Sequence, residues 1–163
     1  MHAPTFRFAT PSDVDRCHEI EFRAYEGDEA ASREKIAKRI AEYPEGFLLM
    51  QFGDEVVGFI NSGCANEVVL ADNSFKELKG HDPQAPHVVI MSVAIDPLRQ
   101  GAGFSIPLMD AFVKAMRERG KRSIHLMCKE RYVDLYCRLG FSYAKLSASD
   151  LAGITWHEMR MDL

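Results

Sequence analysis

A strand-like apolar run, Val88 to Ile95, gives way to Gln100-Gly101-Ala102-Gly103-Phe104-Ser105 and then to an amphipathic helical pattern. A small-residue turn from a strand into a helix leaves several backbone N–H groups aimed at one point, with the helix dipole behind them. Such a point attracts phosphate. A plain strand-to-helix connection is the alternative, so the turn has to be weighed with a second element, Leu135-Tyr136-Cys137-Arg138-Leu139-Gly140-Phe141, which places a tyrosine on a short helix before a glycine-terminated turn.

Two common phosphate-binding designs do not fit. A P-loop carries Lys and Ser/Thr after its last glycine, where Phe104 and Ser105 stand. A dinucleotide fold sets its glycine turn after the first strand, with a third glycine and an acidic residue about 20 positions on; the turn here is at mid-chain and lacks that glycine.

Composition limits the remaining possibilities. With 163 residues, 47% of them hydrophobic, the chain is long enough for one sizeable core and short for two, so a single domain over 1–163 is expected. A net charge of −4, with cations dispersed apart from Arg117, Arg119, Lys121 and Arg122, argues against nucleic acid as a partner. No apolar run approaches 18 residues and no leader pattern opens the chain, so a cytoplasmic protein without membrane insertion is expected, as monomer or homodimer. The four cysteines, Cys17, Cys64, Cys128 and Cys137, show no C-x-x-C spacing, and neither a disulfide framework nor a metal site is expected.

Along the chain, a strand at about Phe6 to Ala9 precedes Thr10-Pro11-Ser12-Asp13, which supplies a cap, a first-turn proline and an acid for the helix dipole. The first helix carries the stripe Val14, Cys17, Ile20 and Ala24, and a second begins after Ser32 with Ile36, Ile40 and Tyr43. Phe22 and Tyr25 fit either the core side of the first helix or an amine pocket. Gly46 to Phe52 and Glu55 to Ser62 read as a hairpin about Gly53-Asp54. Cys64 to Pro86 is a long polar loop, expected on the substrate side. After Val88 to Ile95 and the glycine turn, a helix runs to about Arg119 with Leu108, Phe112, Ala115 and Met116 inward. The strand Ser123 to Cys128 follows, then a helix with Tyr132, Leu135, Tyr136 and Leu139 on one face, and strands at Phe141 to Ser147 and Ile154 to Asp162.

The segment Ile95-Asp96-Pro97-Leu98-Arg99-Gln100-Gly101-Ala102-Gly103-Phe104-Ser105 resembles the pyrophosphate-binding motif of the GNAT superfamily of acetyl-CoA-dependent N-acetyltransferases, with serine in the last small-residue slot. The resemblance extends to the order of elements, β-α-α-β-β-β-α-β-α-β-β, and so implies an α/β fold with a mixed seven-stranded sheet flanked by helices. Phe6 to Asp13, Glu19-Ile20-Glu21, Leu126-Met127-Cys128-Lys129-Glu130, Tyr136 and Gly140-Phe141 are most similar to arylalkylamine N-acetyltransferases. Vertebrate members carry a His-x-His pair on the strand before the glycine turn; Val89 and Met91 stand in those positions. The chain looks instead like the non-vertebrate branch, in which an Asp-Glu pair after the first helix contributes a base, here Asp28-Glu29.

The resemblance implies acetyl-CoA as cosubstrate, no metal, and a small-molecule amine as acceptor. Gln100, Gly101, Ala102, Gly103, Phe104 and Ser105 would hold the pyrophosphate, and backbone N–H groups of Val93, Ala94 and Ile95, on a strand that the family splays, would face the developing oxyanion. Tyr136 is expected as general acid toward the thiolate, because a phenol of pKa ~10 keeps its proton at neutral pH. Glu29 is expected as base, with His87 at the head of the central strand as its rival. Acylation of a protein N-terminus, a lysine or a polyamine, and acyl-CoA binding without catalysis, remain the alternatives.

Overall fold

The computed structural model describes residues 3–25 and 27–163. Its elements run β1 (Thr5–Phe8), α1 (Val14–Ala24), α2 (Arg33–Glu42), β2 (Phe47–Phe52), β3 (Glu55–Ala65), β4 (His87–Ile95), α3 (Ser105–Glu118), β5 (Ser123–Cys128), α4 (Val133–Arg138), β6 (Ser142–Leu146) and β7 (His157–Asp162). Seven strands form one sheet in the order β1-β2-β3-β4-β5-β7-β6. The expected order of elements and mixed sheet are therefore present: β4 and β5 pair parallel, whereas β1–β2, β2–β3, β5–β7 and β6–β7 pair antiparallel. The chain clusters into two compact units, 1–62 with 92–112, and 63–91 with 113–163.

In the first unit, α1 and α2 turn apolar stripes inward: Val14, Cys17 and Ile20 from one, Ile36 and Ile40 from the other are buried. Phe47 and Phe59, fully buried on β2 and β3, stack with centroids 5.1 Å apart; each buried ring stabilises the fold by roughly 1.5–3 kcal/mol. Local chemistry starts each helix. Asp13 accepts the Thr10 N–H at 2.8 Å and two Arg7 N–H bonds at 2.8 Å, closing the turn that feeds α1. The Ser32 hydroxyl accepts the Lys35 N–H at 3.2 Å and caps α2. Phe52 and Glu55 pair directly across the Gly53-Asp54 turn, as the hairpin pattern requires. Where β3 meets the end of β4, Gly58 is obligatory: a Cβ there would stand 2.8 Å from the Ala94 carbonyl oxygen.

In the second unit, β5 supplies buried Ile124 and Leu126, β7 supplies buried Met159, and Phe141 is buried beside them in sequence order on the way to β6. Several expected boundaries move. β3 continues to Ala65 and takes in Cys64, while residues Asn73–Glu77 of the expected loop form a 3-10 turn capped by Asp72. Tyr132 ends a separate 3-10 turn, Glu130–Tyr132, and is exposed rather than aligned on the helix with Leu135 and Tyr136. β7 begins at His157 and not Ile154, because the Trp156 indole N–H reaches back to the Leu151 carbonyl at 3.0 Å and holds the preceding segment in a turn.

Candidate functional site

The glycine turn is built as a donor nest. Gly101 and Gly103 have φ of +84° and +78°, in the left-handed region that a side chain disfavours. A Cβ at either glycine would meet nothing within 4 Å, so the approach to the backbone is open. The Gly103 carbonyl accepts from Ile106 N–H at 3.4 Å and the Phe104 carbonyl from Leu108 N–H at 3.2 Å, which starts α3. Among the described residues, the N–H groups of Gly101, Ala102, Gly103, Phe104 and Ser105 have no hydrogen-bond partner. Five unpaired donors at a helix start can bind an anion with several oxygens. Phe104 anchors the turn on Phe52 of β2, centroids 5.1 Å apart, and Gln100 Nε2 donates to the Ile95 carbonyl at 3.3 Å, tying the turn to the strand that feeds it.

The junction between β4 and that turn is held from α1. The Asp96 N–H donates to the Val57 carbonyl at 2.8 Å, keeping the end of β4 on β3. The buried Asp96 carboxylate accepts from Leu98 N–H at 3.1 Å and from the Arg16 guanidinium at 2.8 Å. Burial pushes the Asp96 carboxyl up, but the Arg16 bond and the Leu98 amide outweigh it and hold the group below its ordinary value. Farther along α1, the Tyr25 hydroxyl donates to the Val93 carbonyl at 2.9 Å and accepts the Val93 N–H at 3.0 Å. The sequence expectation left the Val93 N–H open toward an acyl oxygen; in the structure that donor is engaged by Tyr25. Phe22, by contrast, is 69% exposed and lines no core.

The same unit holds a buried polar group, of which sequence patterns did not single out Arg39, Asn61 and Ser92. Arg39 is buried, 3.4 Å from Asn61 Oδ1 and 3.5 Å from Ser92 Oγ. Burial lowers its affinity for the proton, while the charges of Glu21 and Tyr25 act in the opposite direction. Glu21, also buried, accepts the Ala31 N–H at 2.8 Å and so fixes the segment that contains Glu29. Glu29 itself is half-buried at the end of the 3-10 turn Gly27–Glu29, and Asp28 is exposed. Both lie in the same unit as the glycine turn and Val93.

Tyr136 belongs to the other unit. It sits on α4, with Phe141 edge-on at 5.7 Å, and burial followed by the nearby Cys128 and Tyr132 groups raises its phenol pKa well above the ordinary value. It therefore holds its proton throughout the neutral range. The same unit contains a small open hollow lined by Val69, Leu70, Asp72, Phe75 and Lys76 of the expected substrate-side loop and by strand residues that include Met91 and Met127. His87 is engaged elsewhere: its Nδ1 lies 2.6 Å from Ser123 Oγ, which in turn lies 2.8 Å from His125 Nε2. Burial, then Arg160 and His87, lower the His125 pKa to about 4, so this histidine is neutral at pH 7.

Among the described residues, no group of three His, Cys, Asp or Glu side chains is placed to hold a metal ion, and no helix is long and apolar enough to cross a membrane.

The sequence reading does not anticipate Arg16 and Asp96 as partners, and it offers Tyr25 for the core or an amine pocket rather than for the Val93 backbone. Asp96 was within reach, since Asp-Pro commonly caps a turn through the carboxylate; Arg16 and Tyr25 have no local signal.

Comparison with known proteins agrees with this geometry. The profile of the Acetyltransferase (GNAT) family matches residues 14–141. Comparison with curated protein sequences gives no match. Among solved structures, the GphF GNAT-like decarboxylase in complex with isobutyryl-CoA has a TM-score of 0.84 at 18% identity, over 97% of this chain and 98% of that one. The yncA protein of Salmonella typhimurium, with its cofactor acetyl-CoA, has a TM-score of 0.69 at 19% identity, over 99% and 95%. The ribosomal-protein-S18-alanine N-acetyltransferase of Escherichia coli has a TM-score of 0.71 at 17% identity, over 98% and 94%. These likenesses establish a shared fold, and the family match, which covers most of the chain, establishes membership: the chain belongs to the GNAT family of acetyltransferases.

Proposed function

We propose that this protein transfers an acetyl group from acetyl-CoA directly to a small primary amine, with an arylalkylamine as its preferred acceptor. The observation that carries the acyl-CoA part is the row of unpartnered N–H groups from Gly101 to Ser105, a fit for a pyrophosphate. The presence of acetyl-CoA in the yncA structure supports the same cosubstrate. The preference for an arylalkylamine rests on the sequence resemblance.

Acetyl-CoA supplies an activated thioester carbonyl. The amine nitrogen bonds to that carbon, the carbon–sulfur bond breaks, CoA leaves with the electron pair, and the nitrogen sheds one proton. The chain's tasks are to stabilise the oxyanion and the departing sulfur and to take up that proton. The backbone N–H groups of Val93 and Ile95 serve the oxyanion; Ala94, also expected there, turns toward β3, since its carbonyl oxygen stands against Gly58. Tyr136 serves the sulfur, and its raised pKa makes it a hydrogen-bond donor to the departing thiolate rather than a group that gives its proton away completely. Glu29, directly or through water, is the base. His87 is less suited, because its Nδ1 is already bonded to Ser123.

Thiol release measured with acetyl-CoA against tryptamine, phenethylamine, spermidine and a lysine peptide is expected to show the two aromatic amines as the best substrates. Reaction of peptides or polyamines alone would replace the arylalkylamine by those acceptors. Carbon dioxide release from a carboxylated acyl-CoA without any amine would favour a second reading, to which the likeness to GphF lends support. With the best amine, Glu29→Gln is expected to lower kcat/KM most at neutral pH and to recover part of the loss as rising pH frees the amine. A profile superimposable on wild type, with His87→Ala altering the neutral limb instead, would move the base to His87.

A further inference from the structure

Val93 is the point at which β4 ceases to be an ordinary member of the sheet. The parallel pairing of β4 with β5 is confined to His87–Val89. Asp96, three residues beyond Val93, faces β3 through its bond to Val57. Alternate residues of a strand present N–H and C=O to opposite edges, so Val93 faces away from β3. Half-buried backbone groups at such an edge need partners. A phenol can satisfy both at once, because its hydroxyl is a donor and an acceptor, and Tyr25 does so at 2.9 and 3.0 Å.

Tyr25 reaches this position from an unusual place in the chain. It is the C-cap of α1, with extended φ and ψ of −110° and 146°, and Gly27 two residues on has a positive φ of 51°. The phenol thus projects from the joint between α1 and the turn that carries Glu29, rather than from the packed stripe of the helix. Its hydroxyl oxygen stands where an incoming carbonyl oxygen would have to stand to accept the Val93 N–H. An oxygen atom of the protein and one of a ligand cannot share that position.

We propose that Tyr25 is a positioning residue that holds the Val93 amide in the ligand-free protein and yields it to acetyl-CoA, so that every binding event includes the exchange of the Tyr25 hydroxyl for a ligand oxygen. The proposal rests on the acyl-CoA reading given above. It makes the apparent affinity for acetyl-CoA weaker than the strand edge alone would allow, since a hydrogen-bonded pair has to be parted first.

Tyr25→Phe keeps the ring and removes the hydroxyl. Calorimetric titration of the folded variant is expected to show acetyl-CoA bound roughly threefold to tenfold more tightly than by wild type, the range of one ordinary hydrogen bond. Equal or weaker binding by the variant would overturn the proposal, as would a kcat loss of about 10²-fold at unchanged affinity, which would make the hydroxyl an oxyanion donor instead. If wild type and variant both fail to bind acetyl-CoA, the acyl-CoA reading falls and takes this one with it; if wild type binds and the variant binds no better, only the role of Tyr25 falls. Should the variant not fold, the test moves to wild-type protein labelled with ¹⁵N-valine. The Val93 amide resonance and the Tyr25 ring protons must both shift on adding acetyl-CoA, and an unmoved pair would reject the exchange.

Discussion

Replacing Gly103 by valine is expected to weaken acetyl-CoA binding by about 10² to 10⁴-fold in a protein that stays folded. The estimate comes from losing two charge-assisted hydrogen bonds at about 1.5–3 kcal/mol each, converted at about 1.4 kcal/mol per tenfold. Two effects act in the variant. A β-branched residue at φ +78° strains the turn, at a cost of about 1–2 kcal/mol, and its side chain fills space beside the turn that is open with glycine. Gly103→Asn separates them, because asparagine tolerates positive φ while still blocking the approach. Both variants should lose affinity by calorimetry, the valine variant alone with a clear drop in thermal stability. Unchanged affinity in either folded protein would place the pyrophosphate elsewhere.

Tyr136→Phe is expected to lower kcat by about 10² to 10³-fold, the cost of removing one preorganised donor from a developing charge, while acetyl-CoA affinity stays within about twofold. The ring's edge-on contact with Phe141 at 5.7 Å survives the substitution, so packing gives no reason for a large loss of stability. The measurement has to be a single-turnover rate, since slow product release can mask a chemical step. A variant with wild-type single-turnover rates would leave Tyr136 as a packing residue against Phe141.

How far the sequence reading carried depended on the range of the interactions involved. The glycine turn, the Gly53-Asp54 hairpin and the stripes of α1 and α2 follow from neighbours a few positions apart, and all were legible. The end of the Tyr136 segment was less so. A 3.6-residue period placed Tyr132 with Tyr136, but the chain enters α4 through a 3-10 turn and leaves it at Gly140, so only Val133–Arg138 is helical and Tyr132 faces solvent. The contacts that prepare the strand edge were not legible at all. Tyr25 meets Val93 across 68 positions, and Arg16 meets Asp96 across 80. Nothing in either local pattern separates a helix-end tyrosine that satisfies a distant backbone from one that fills a core.

The Arg16–Asp96 ion pair has a consequence for how the enzyme's response to pH can be interpreted. Asp96 has its pKa held below the ordinary carboxylate value, so the pair's contribution is complete above the unfolded pKa of about 4 and is lost only as acid carries the pH down through the folded value. Arg16, whose pKa is raised despite burial by its bonds to Asp96 and Glu19, does not lose its charge at the alkaline end of any ordinary assay. The clamp beside the glycine turn is therefore electrically constant from pH 7 to pH 9, a window in which a phosphate monoester of second pKa about 6 is already mostly dianionic. The dissociation constant of acetyl-CoA should be flat across that window while kcat/KM for the amine climbs, which would assign the climbing limb wholly to the acceptor and its base. A steep change in the acetyl-CoA constant between pH 7 and pH 9 would mean that another titrating side chain reaches the cosubstrate.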